Sequence, residues 1–202
     1  MSICGRPARR FSVRNSGNLN SAISRFQAVF APNGSEPNKE KNMPTKVRPI
    51  PEGYHTATPY LTVRSAAEAI DFYQRAFGAK EKYRMPGPNG KIMHAEILIG
   101  NSHIMLADES AAAGSQAPPT LNGTPVGIFL YIDNVDTTFK QAIKAGAKET
   151  LPVQDMFWGD RFGRLTDPFG HKWMLATRVE DVSPAEMEQR MASACSQTLQ
   201  AK

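Results

Sequence analysis

An α+β fold built from one βαβββ module used twice is predicted by three features of this 202-residue sequence. Two strand–helix units recur, each helix stops at a Gly-Ala-Lys string, and each unit closes on a strand carrying Met-Leu-Ala. The helix stops are Gly78-Ala79-Lys80 and Gly146-Ala147-Lys148, an offset of 68 residues. The closing strands contain Met105-Leu106-Ala107 and Met174-Leu175-Ala176, an offset of 69. Near-equal offsets at both ends mean that a whole unit is repeated, not a single motif.

The first unit opens on a strand over Thr58–Val63. Ala66, Ala69, Ile70, Tyr73 and Phe77 then recur at helical spacing, with Gly78 where a helix-ending glycine belongs. Three strands are predicted next, Glu81–Met85, Lys91–Gly100 and Ser102–Asp108, joined by turn signals at Pro86–Gly90 and Gly100-Asn101. Ser110–Pro125, rich in Ala, Gly, Ser and Pro, reads as the linker. The second unit repeats the order: strand Gly127–Ile132, then a helix with Val135, Phe139, Ala142 and Ile143 on one face and Gly146 as its stop. Strands Glu149–Val153, Arg161–Thr166 and His171–Thr177 follow, the last two divided by the turn Asp167–Gly170. Ser183, Pro184 and Glu186 mark the start of a short terminal helix, expected to serve packing or a dimer contact. The modules are thus placed at about 54–109 and 125–178, within a folded part 54–178, followed by a tail 179–202.

Charge separates the chain into two regions. Residues 1–42 hold seven Lys/Arg and two Glu, whereas from Met43 onward 17 basic residues face 17 acidic ones. The basic excess belongs to the leader, so the folded part offers no basic face for nucleic acid. Residues 1–42 are Arg- and Ser-rich, with no acidic residue before Glu36 and no apolar repeat, which predicts disorder. Two readings of them stand side by side: an organelle transit peptide, or sequence upstream of a true start at Met43. No apolar run is long enough to cross a membrane. Cys4 and Cys195 lie near opposite ends, outside every motif, which points to a reducing, cytoplasmic setting (an organelle if the leader is a transit peptide).

The strings PIPEGYHTATPYLTV, AAEAIDFYQRAFGA, HAEILIG followed by HIMLADE, and FWGDRFGRLTDPFGHKWMLAT resemble the vicinal oxygen chelate superfamily across Ile50–Arg178. That superfamily holds glyoxalase I, bleomycin-resistance proteins and extradiol dioxygenases, and the strings are most similar to its PhnB-like branch. The resemblance implies a glyoxalase/bleomycin-resistance-type fold with a U-shaped sheet groove, and a homodimer. It does not fix an activity, because the scaffold carries lyases, isomerases, dioxygenases and binders alike.

Strand alternation assigns each residue to the helix side or the groove side. Tyr60, Phe129 and Tyr131 fall on the groove side as stacking candidates for a planar ligand, and Met105 and Met174 as an adaptable floor. Trp158 and Arg161, in the loop Trp158–Arg161, are candidates to cap a ligand and pair with its anionic group; Arg161 paired with Asp160 is the competing expectation. The resemblance implies metal-ligand positions at Thr58, Met105, Gly127 and Met174, none a good ligand in an oxygen/nitrogen site. No metal and no other cofactor are therefore expected, and the leading expectation is metal-independent binding of a small, partly aromatic molecule. The alternative is a metal-dependent lyase, isomerase or dioxygenase in which His94, Glu96 and His103 act around a displaced divalent ion. A hydrogen-bonded trio rimming the groove is the plainer reading of those three residues.

Overall fold

A computed structural model of the protein describes residues 47–200, with side-chain surroundings to residue 194. The leader reading for residues 1–42 lies outside the described residues. Two four-stranded sheets follow one another, with the same strand order in each. The first module comprises β1 (Tyr60–Val63), α1 (Ala66–Phe77), β2 (Lys80–Pro86), β3 (Ile92–Ile99) and β4 (Ser102–Asp108). A short helix α2 (Pro118–Leu121) interrupts the linker. The second module comprises β5 (Gly127–Tyr131), α3 (Val135–Ala145), β6 (Lys148–Asp155), β7 (Asp160–Thr166) and β8 (Lys172–Arg178). A final helix α4 (Pro184–Gln200) is longer than the short helix expected.

The sheet orders are β1-β4-β3-β2 and β5-β8-β7-β6, each with one parallel pair and two antiparallel pairs. The parallel pair is what the intervening helix makes possible, since it carries the chain back over the sheet. Both helices end as expected: Gly78 and Gly146 sit in the left-handed region at φ 65° and 119°, where glycine carries no Cβ penalty. Their starts are capped from the sheet. Asp108 on β4 accepts from the Ala66 N–H at 3.3 Å, and Thr177 on β8 from the Val135 N–H at 2.8 Å.

The core lies between helices and sheets and runs through both modules. Leu61, Val63, Ile97, Ile104 and Leu106 are buried in the first sheet, Leu130, Leu165, Trp173 and Leu175 in the second. On α1 the buried face extends beyond the predicted stripe to Phe72 and Ala76. The reason is a second neighbour, because α1 packs on its own sheet and also on the second module through Trp173 and Phe169. Polar links reinforce this contact: the Tyr73 hydroxyl donates to Asp167 at 2.8 Å and Gln141 donates to the Arg75 carbonyl at 2.6 Å.

Candidate functional site

With the helices on one side, the other face of each sheet is left open, and the alternation places the expected residues there. Tyr60 stands beside Met105 in register, and Phe129 beside Met174. The registers also define equivalent positions. Tyr60, Glu96, His103 and Met105 in the first module correspond to Phe129, Arg164, Lys172 and Met174 in the second.

The first open face is polar. Tyr54, from the segment before β1, donates its hydroxyl to Glu96. His94 reaches the other Glu96 oxygen at 3.2 Å, and its Nδ1 lies 3.3 Å from the Tyr60 hydroxyl. With the ring proton on Nε2, His94 donates to Glu96 and accepts from Tyr60, which satisfies the whole chain. His103 joins by stacking: its ring lies 4.0 Å from that of Tyr54, and its Nδ1 is buried without a partner. The structure brings His94, Glu96 and His103 together as neighbours; sequence reasoning missed Tyr54, and Tyr83, whose ring lies 6.2 Å from that of His94. Tyr54 is 42 residues from Glu96 and outside any strand, so no periodicity marks it.

The Tyr54 hydrogen bond holds the Glu96 carboxyl below the usual carboxylate range, with help from His94 and against the effect of burial. Reciprocally, the Glu96 bond and then burial push the Tyr54 hydroxyl up to about 12. A carboxyl whose pKa is lowered by folding contributes stability in full above its unfolded value of about 4.3 and loses it as pH falls through the lower folded value. Glu96→Gln is therefore expected to be less stable than wild type at neutral pH, with the gap closing in acid. Denaturant midpoints measured between about pH 6 and 2 check this; a gap that does not change with pH would remove Glu96 as the source.

The second open face is aromatic. Phe129 lies 4.9 Å from Tyr131 and 5.7 Å from Phe162, and Trp158 lies 5.8 Å from Phe162. Asp160, only 2% exposed, ties this set together by accepting from Tyr131 at 3.1 Å and Trp158 at 3.0 Å. Arg161 points the other way. Its guanidinium forms a two-pronged pair with Asp136 at 2.6 and 2.8 Å and a bond to Asp155 at 3.0 Å. The expected Asp160–Arg161 pair is absent because neighbours on a strand face opposite sides. The same parity puts Arg164, three residues on, over the open face. Sequence reasoning missed Arg164 and Phe162; their strand parity with Asp160 was the available signal.

The implied metal positions do not fit a metal. Met105 and Met174 offer thioethers, Gly127 offers nothing, and the Met174 methyl lies 2.8 Å from where a Cβ at position 127 would stand. Nor does the displaced trio fit, because Tyr54 and His94 engage both Glu96 oxygens and His103 is turned into a ring stack. No three His, Cys, Asp or Glu side chains converge as ligands among the described residues.

Two cavities open where these faces begin. One of about 230 Å³ lies at the module junction, lined by Tyr60, Thr62, Ile128 and Lys172. Another of about 490 Å³ opens beside Tyr60, over Ile92, Met93 and Ala107. At that junction the modules touch directly, the His171 Nε2 lying 3.0 Å from the Thr62 carbonyl oxygen.

Residues 54–175 match the family described as Glyoxalase/Bleomycin resistance protein/Dioxygenase superfamily. The chain is 43% identical over 139 residues to protein Mb0911c of Mycobacterium bovis, spanning 67% of this chain and 91% of that protein. It resembles the crystal structure of protein PA1353 from Pseudomonas aeruginosa with a TM-score of 0.51 and 25% identity, over 61% of this chain and 98% of that one. A glyoxalase/bleomycin resistance protein/dioxygenase family enzyme from Burkholderia phytofirmans shares the fold at a TM-score of 0.50 and 20% identity, over 59% and 95%.

Proposed function

The chain belongs to the Glyoxalase/Bleomycin resistance protein/Dioxygenase superfamily, and from that premise we propose that it is a metal-independent binder of a small, partly aromatic molecule, working as a homodimer. The carrying observation is the state of the open sheet faces. Tyr60, Phe129 and Tyr131 are 52%, 40% and 64% exposed on surfaces whose opposite sides are fully packed. Aromatic rings grouped on an open sheet face mark an interaction surface, whereas scattered ones need no explanation. The cavity of about 490 Å³ beside Tyr60 falls within the range of roughly 300–1,000 Å³ usual for small-molecule sites.

Ligand recognition in this reading is by stacking and apolar burial, with Met105 and Met174 adapting the floor to the ligand's outline. Trp158 sits at the rim, its indole N–H held by Asp160. The homodimer brings further module faces to the same surfaces.

A library of planar aromatic compounds screened by thermal shift tests the proposal. Binders are expected to raise the melting temperature, by about 2.7 kcal/mol of added stability at a hundredfold excess over Kd. Phe129→Ala or Tyr131→Ala is expected to abolish that shift while leaving the fold intact. Metal analysis of protein purified without chelator is the opposing arm. Stoichiometric metal, lost on His94→Ala or Glu96→Ala, would replace this reading with the metal-dependent enzyme. A dimer in which partner side chains fill both faces, with no compound binding, would leave a scaffold instead.

A further inference from the structure

Taking the binding reading as its basis, we infer that the ligand is an organic anion and that Arg164 and Lys172 anchor its charged group over Met174. Three observations carry this. Arg164 lies at the centre of β7, a strand flanked by β6 and β8, so its charge protects no sheet edge. Lys172 opens β8 on the same face, two residues before Met174. Arg164 is directly opposite Met174 in register, so the two cations are diagonal neighbours, about 7–8 Å apart at their Cα atoms. Both side chains are long enough to reach one anionic group placed over the Met174 thioether.

Neither cation has a carboxylate partner among the described residues. The other two arginines of this module are committed elsewhere, Arg161 to Asp136 and Asp155, and Arg178 to Asp181. Two unpaired cations beside Phe129 and Phe162 give the face an anionic aromatic preference that neither feature has alone. Gly127, in register with Lys172, adds no side chain to block the approach.

Comparison of equivalent positions sharpens the argument. Where the second module has Arg164 and Lys172, the first has Glu96 and His103 on the same backbone frame. Glu96 is not a hidden partner for Arg164, because Tyr54 and His94 already engage both of its oxygens. The two walls have thus diverged in charge, one with its carboxylate engaged internally and one left with open donors. Tyr60 and Lys172 line one cavity at the junction, so an anion held on the second wall has its ring portion directed towards the first.

The test uses three probes of one shape on the full chain: 1-naphthoate, neutral 1-naphthamide and cationic 1-naphthylmethylammonium, titrated by calorimetry. One charge-assisted contact of 1.5–3 kcal/mol corresponds to an advantage of about tenfold or more for naphthoate over naphthamide. Arg164→Gln with Lys172→Gln is expected to erase that advantage while naphthamide affinity is unchanged. Lys144→Gln, a cation on α3, serves as the control for net charge and is expected to change nothing. Equal binding of naphthoate and naphthamide would overturn the anion inference and leave the binding reading standing. So would tighter binding of the ammonium probe, or an equal loss in the Lys144 control. If none of the probes binds, and the aromatic library also fails, the inference falls together with the reading beneath it.

Discussion

Replacing Asp167 by alanine is expected to cost about 3–5 kcal/mol of folding stability, a large share of what a domain of this size possesses. The residue is 4% exposed and uses both oxygens twice. One oxygen accepts from the backbone N–H groups of Phe169 and His171, each at 2.9 Å, which fixes the turn between β7 and β8. The other accepts from the Tyr73 hydroxyl at 2.8 Å and the Trp173 indole N–H at 2.9 Å. Tyr73 belongs to α1, so this carboxylate fastens the first module to the second. Alanine strands two buried side-chain donors and two turn amides at once, and each buried orphan costs about 1–3 kcal/mol. Asp167→Asn keeps one acceptor and is expected to cost less, and Tyr73→Phe, which removes a donor and strands none, least. Burial, with Asp167 beside it, holds the Tyr73 phenol well above its usual range, so it stays a donor in mild alkali. Urea midpoints of the three variants check the order. Should alanine prevent folding, the Asn and Phe variants still rank the contacts; three equal and small losses would mean that water takes the place of the carboxylate.

Asp167 also shows where sequence reading ends. Its position between two strands identifies a turn former, and the turn is there. That the same side chain reaches Tyr73, 94 residues earlier, follows only from the packing of one module on another. Local rules served well where periodicity is strict. Leu61 and Val63 are buried while Tyr60 is open, and β4 has the predicted bounds. They failed where the chain departs from regular pleat or where parity was not carried across a loop. Register shifts in β2 between Glu81 and Tyr83, and in β6 on both sides of Leu151, change which residues share a face without a signal in composition. Arg161 was singled out because it neighbours Trp158 and Asp160 in sequence. Starting β7 at Asp160 instead puts Arg161 against α3 and Arg164 over the open face. The stretch read as a linker from its Ala, Gly, Ser and Pro content holds α2 because Pro118 and Pro119 favour a first helical turn.

The duplication itself supplies the other large effect, through a matched pair of core residues. At equivalent positions the first module has Ile70 on its helix and Ala95 on its third strand, both fully buried. The second has Phe139 and Gly163. A Cβ built on Gly163 would stand 2.8 Å from one Phe139 ring carbon, 3.1 Å from another and 3.0 Å from a Val153 methyl. The larger ring on α3 therefore requires the smallest residue on β7, and the two modules divide the volume between helix and sheet differently. Gly163→Ala alone overpacks this contact and is expected to destabilise by about 1–3 kcal/mol. Phe139→Ile alone removes ring volume beside a bare glycine and leaves a void, with a cost of about the same size. Together they recreate the pairing of the first module, so the double variant is expected to be more stable than the sum of the single losses, by about 1 kcal/mol or more of coupling. A double-mutant cycle from urea denaturation measures that coupling directly. Strict additivity would show that the helix simply moves away from β7 when crowded, and that the glycine is not there to accommodate the ring.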